Sequence, residues 1–196
     1  MALEETLNTV NTVNQTKAQA TGDITGRDKI IVESPKGMVE KLLLRLQKQY
    51  DDNEETQITI DELARYHSRR AVDGVAGLEA KLAAAGKSDS YVEAIEKKEM
   101  FAKLLQRWSS YSIAQLIFVH ILAKAENEFS QVIYPQISAK TEAEINALVM
   151  ERIVNPIVEE CSSELMGVSY NIVQGMVYWL AEQCFIRWHH PAVATK

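Results

Sequence analysis

The sequence predicts a mainly α fold: a helical bundle of about six helices, preceded by an N-terminal arm and one short β-strand. Three observations carry this expectation. From Pro35 onward, apolar residues recur every three to four positions, the period of one helix face. Gly and Pro are scarce, 8 and 4 in 196 residues, which leaves few places to break a helix. A single β-branched run, Ile30-Ile31-Val32, stands apart behind two glycines.

Residues 1–21 are rich in Thr, Asn and Gln, which compete with helical backbone hydrogen bonds, and read as a mobile or partner-ordered arm. Residues 22–34 hold Gly22-Asp23-Ile24-Thr25-Gly26-Arg27-Asp28-Lys29 and then the β-branched run, a turn followed by a strand. A lone strand cannot satisfy its own backbone groups, so this one must pair with something.

The helical domain is expected over residues 35–190, with a tail over 191–196. Pro35 suits a first helical turn, and Met38, Leu42, Leu43 and Leu46 form the stripe of a helix that Asp51-Asp52-Asn53 ends. Thr59-Ile60-Asp61-Glu62 has capping-box spacing and predicts a helix reaching about Ala85, weakened at Gly74 and Gly77 and capped by Gly86. Ser88-Asp89-Ser90 opens the next, with Val92, Ile95, Met100, Phe101, Leu104 and Leu105 on its apolar stripe. A long helix, nearly all apolar in its first half, runs from Ile113 to Tyr134 and is closed by Pro135. Thr141-Glu142-Ala143-Glu144 caps a further helix with Ile145, Leu148, Val149, Ile153 and Ile157 inward, which Pro156 should kink. Gly167 separates it from a last helix expected over Val168 to His189.

The net charge of −6 is the wrong sign for a protein whose main work is neutralising nucleic-acid phosphates. The longest uncharged runs, residues 108–123 and 165–181, fall short of the roughly 20 apolar residues needed to span a bilayer. The N-terminus has neither the basic nor the apolar region of a secretory signal, and two cysteines do not make a disulfide framework. These features predict a cytoplasmic protein.

No motif for catalysis emerges. His120 lies in an apolar stretch and reads as a satisfied core or interface histidine, with Glu126 and Glu128 at no metal-binding spacing. His189 and His190 are adjacent and point about 100° apart on a helix. Glu160 and Glu164 share a helix face as solvated charges, and no Cys/His zinc spacing occurs. The glycine motif lacks the Gly-Lys-Ser/Thr ending of a phosphate loop, so no cofactor is expected. A DNA-contacting alternative would use Arg65, Arg69 and Arg70; an enzymatic one would use Cys184 or His120. Tyr178, Trp179, Phe185, Trp108 and Tyr111 read as core, and Trp188, close to the chain end, as an anchoring aromatic at a subunit interface.

Two segments carry a family resemblance. Residues 22–30 resemble a short linker motif of bacterial conflict and defence proteins. Residues 175–188, an apolar-aromatic run followed by Cys184 and then Ile186-Arg187-Trp188, resemble the closing helix of C-terminal domains in ABC-ATPase three-component systems, the group that includes Lamassu. The sequence departs from that pattern at Phe185, where His is usual. The resemblance implies partners: an SMC-like ABC ATPase subunit and an effector subunit, a nuclease or protease. About twenty residues precede the glycine motif, too few for an enzyme, which implies a non-catalytic accessory subunit that meets nucleic acid only through the complex and no membrane. The expected docking residues are Asp23, Ile24, Arg27, Asp28, Lys29 and Ile31, adding a strand to a partner or pairing with a second copy, together with Trp188.

Overall fold

A computed structural model describes residues 37–56, 58–68 and 74–189, all within the unit Lys36–Lys196. The expected arm, the strand over residues 24–32 and the C-terminal tail lie outside the described residues. Among the described residues there are eight α-helical segments and no strand. Two more segments are present than the spacing predicts, because two of the expected helices are each divided.

Helix α1 (Met38–Asp51) buries Val39, Leu42, Leu43 and Leu46 against α5 (Ser112–Glu128). Each such side chain contributes roughly 2 kcal/mol by leaving water. Met38, expected on that stripe, instead stands 59% exposed. Helix α2 (Asp61–His67) and α3 (Leu78–Ala84) divide the single helix expected from Thr59 to Ala85. The capping box at Thr59 does not form, and Ile60 occupies the cap position without a side-chain bond. The fully buried Gln115 of α5 holds this loop instead. Its Oε1 accepts from Ile60 N–H at 2.8 Å, while its Nε2 donates to Ile58 O at 3.0 Å and Ser109 O at 2.7 Å. A tertiary side chain thus anchors the start of α2, where no local side-chain cap forms.

Helix α4 (Tyr91–Trp108) follows a 3₁₀ turn at Ser88–Ser90 and buries Ala94, Phe101, Leu104, Leu105 and Trp108. Val92 and Met100, predicted on its stripe, face solvent, Val92 at 69% exposure. Helix α5 has buried residues around most of its circumference, as its uniform apolarity predicts. A π turn at Phe129–Ile133 and a 3₁₀ turn at Tyr134–Gln136 end it where Pro135 was expected to.

Helix α6 (Glu142–Val149) starts with the capping box read in the sequence. Thr141 Oγ1 accepts from Glu144 N–H at 3.4 Å, and the Glu144 carboxylate accepts from Thr141 N–H at 2.8 Å. The Thr141 backbone bond foremost holds the Glu144 carboxyl below the usual carboxylate range. A π turn at Met150–Val154 leads into α7 (Asn155–Glu160), so Pro156 stands in a first turn, where its missing N–H is tolerated.

Helix α8 (Tyr170–Glu182) packs lengthwise on α4 and is shorter than the predicted Val168–His189. It ends in a Schellman motif: Cys184, at φ +67°, donates to Ala181 O, and Phe185 donates to Leu180 O. Helix α3 ends the same way, with Gly86 at φ +71°, Gly86 N–H on Ala83 O and Lys87 N–H on Leu82 O. Glycine adopts this left-handed conformation freely, whereas cysteine does not. Nothing lies within 4 Å of a Cβ added at Gly86, so Gly86→Ala tests the backbone alone. It should cost about 1 kcal/mol, and Cys184→Gly should move in the opposite direction by a smaller amount. Urea denaturation of the pair reads both signs.

Candidate interaction site

The predicted docking residues Asp23, Ile24, Arg27, Asp28, Lys29 and Ile31 lie outside the described residues, as do Arg69 and Arg70 of the DNA-contacting alternative. Trp188 and Arg65 are described, and both are engaged within the fold.

Trp188 is 7% exposed. Its indole meets Phe129 edge-on at 5.9 Å and Tyr178 at 5.8 Å. The expectation of an exposed aromatic near the chain end is therefore not met. After the turn at Cys184 that follows α8, the chain seats the ring in the core, which Phe129, Ile133 and Met176 also occupy. Trp108, Tyr111 and Trp179 are core residues as predicted, and Phe185 packs against that core.

Arg65 donates through Nη2 to both oxygens of Glu126, at 2.9 and 3.1 Å. Tyr66 O–H donates to the same carboxylate at 2.9 Å. The Arg65 guanidinium lies 4.9 Å from the Tyr66 ring and 5.2 Å from that of Phe185, close enough for cation–π attraction. Burial, and then the Glu126 hydrogen bond, push the Tyr66 phenol up to about 12. This cluster ties α2 to α5 through Nη2 of a guanidinium that stays partly exposed. Spacing alone missed it because Glu126 lies 61 residues from Arg65.

His120 is half-buried, with Nε2 3.6 Å from Glu160 Oε2, while Lys124 donates to Glu160 Oε1. Sequence spacing offers His120 no carboxylate partner, because Glu160 arrives from α7. Glu160 and Glu164 do not share a helix face, since α7 ends at Glu160. Next to this group, Cys161 is buried, and desolvation first, then Glu160, pushes its thiol up to about 12. A thiolate is the reactive form. In native protein at pH 8, iodoacetamide should therefore modify the partly exposed Cys184 and leave Cys161 intact until urea unfolds the chain, as read by peptide mass spectrometry. Equal native labelling would contradict the burial of Cys161.

A groove of about 950 Å³ opens between the first turns of α1 and helix α7, with His120 on its wall. A smaller cleft of about 220 Å³ lies beside Trp188. The lysines that line it are engaged: Lys87 with Glu142 at 3.1 Å and Asn146 at 2.9 Å, and Lys97 with Gln174 at 2.6 Å and with Glu93. Among the described residues no group of three or more His, Cys, Asp or Glu side chains could hold a metal ion, and no helix is long and apolar enough to cross a membrane.

Fold and site together define a helical domain whose ionic groups tie its own elements to one another. The chain belongs to the family of C-terminal domain 9 of the ABC-three component (ABC-3C) systems, whose family model matches residues 77–188. That span begins at the cap of α3 and ends at Trp188, so α1 and α2 lie outside it. No curated protein and no solved structure matches the chain.

Proposed function

We propose that this chain is a non-catalytic assembly subunit of a bacterial antiphage or anti-plasmid defence complex, Lamassu-like in organisation. It docks on an SMC-like ABC ATPase in the cytoplasm and helps to hold or release an effector, a nuclease or protease. The observation that carries the reading is membership, over residues 77–188, in a family that is by description a domain of multi-component systems. The pairing of Arg65 with Glu126 and of Lys98 with Glu182, at 2.6 Å, supports a rigid docking body. The net charge of −6 favours protein partners over nucleic acid, which the assembly meets through its other subunits.

In this reading Asp23, Ile24, Arg27, Asp28, Lys29 and Ile31 form a docking edge, which pairs with a partner strand or with a second copy. Trp188 contributes indirectly, by holding the end of the domain in place. The test is co-expression with the ABC ATPase encoded beside the gene. The two proteins should co-purify, and deleting residues 22–32 should weaken the complex. A chain that elutes alone as a monomer and captures neither the ATPase nor the effector would overturn the proposal.

A further inference from the structure

We propose that the groove between the first turns of α1 and helix α7 seats an amphipathic helix of a partner protein, one whose apolar stripe is flanked by lysine or arginine. The inference rests on the reading of this chain as an assembly subunit and names the surface and the chemistry of the contact.

The groove has an apolar centre and an acidic rim. Met38 at 59% and Leu44 at 54% exposure stand on its α1 side, and Pro156 on its α7 side. The exposed Glu40 and Glu159 flank them, and neither forms an ion pair among the described residues. Glu160 is held by Lys124, and among the described residues no Lys or Arg lines the groove. Exposed apolar residues between carboxylates that no described cation pairs match the two faces of a basic amphipathic helix.

The same features set other occupants aside. Among the described residues there is no strand, so the groove offers no open edge for β-addition. Nucleic acid and anionic lipid would meet repulsion from Glu40 and Glu159. A second copy docking symmetrically would bring identical acidic rims together. One wall of the groove, α1, lies outside the family match, whereas α7 lies inside it.

The experiment uses the full chain and a synthetic helix-forming peptide of about 20 residues. It carries leucines on one face and lysines beside them; its twin has glutamate for every lysine, and a third has the lysine sequence scrambled. Binding is read by fluorescence anisotropy and located by NMR through the Met38 methyl and the His120 ring. The lysine peptide should bind about tenfold tighter than either control and shift both signals. Leu44→Glu, at an exposed position, should weaken it about tenfold with an unchanged far-UV circular dichroism spectrum. The double variant Glu40→Gln, Glu159→Gln should lose about fivefold at low salt and little at about 0.5 M salt. Equal binding of all three peptides, no loss in Leu44→Glu, or a dimer that Leu44→Glu dissolves would each overturn the proposal. Co-purification with the ATPase alongside failed peptide binding would overturn this inference and leave the proposed function standing.

Discussion

Replacing Gly175 with alanine should destabilise the domain by at least about 3 kcal/mol and lower its melting midpoint by about 10 °C. The reason is a backbone contact. A Cβ built at Gly175 would sit 1.9 Å from the carbonyl oxygen of Lys97 and 2.5 Å from its carbon. Neither atom can turn aside as a flexible side chain would, so α4 and α8 must separate. The contact is pinned on both sides, by Lys97 donating to Gln174 at 2.6 Å and by the Lys98–Glu182 pair at 2.6 Å. Phe101 of α4 and Trp179 of α8 also meet across these two helices, with ring centroids 5.7 Å apart. Helix propensity pulls the other way, since alanine is favoured over glycine in a helix interior by about 1 kcal/mol. The clash is the larger effect, and thermal unfolding of Gly175→Ala decides the sign. A neutral or stabilised variant would mean that α4 and α8 lie farther apart than described.

The second large effect is expected at Lys81. Its side chain is fully buried at 0% exposure, with Nζ 2.5 Å from Ala181 O and 3.5 Å from Ile186 O. The ammonium therefore lies at the C-terminal end of α8, where the helix dipole is negative and backbone carbonyls lack helical partners. Lys81→Ala removes a buried four-carbon stem as well as the donor, and should cost about 3 kcal/mol. Lys81→Met keeps most of the packing. Because Ala181 O retains its bond from Cys184 N–H, that variant should lose about half as much. Urea denaturation of the two separates filling of the core from capping of α8. Equal losses would assign the whole effect to the ammonium.

These two residues show where the sequence was readable and where it was not. Lys81 lies three residues after Leu78 and next to Leu82, within the apolar side of α3, and a lysine there is a visible anomaly. Its partner is invisible, because Ala181 lies 100 residues away. Gly175 also interrupts an apolar helix, but which backbone it approaches depends on how α4 and α8 are laid together. Where the signal was local, the reading matched the structure. The Thr141 capping box formed, Gly86 took the left-handed position, and Asn53, at φ +54°, ended α1. Where tertiary contacts competed, the reading failed. Gln115 holds the start of α2, where no capping box forms at Thr59, and Trp188 turns inward after the turn at Cys184 that follows α8.

The same division holds for the candidate surfaces. Arg65 looks like part of a basic face in sequence, and only the packing of α2 on α5 gives it Glu126 and Tyr66. Glu40 and Glu159 look like ordinary solvated charges, 119 residues apart in number, until α1 and α7 bring them to one groove. The sequence by itself determined the helical class, most of the helix positions and the family, because periodicity, caps and a contiguous motif are encoded within a few turns of chain. Only the tertiary structure decided which charges are paired, which aromatic faces inward and which apolar residues remain outside, because each depends on partners that arrive from distant segments.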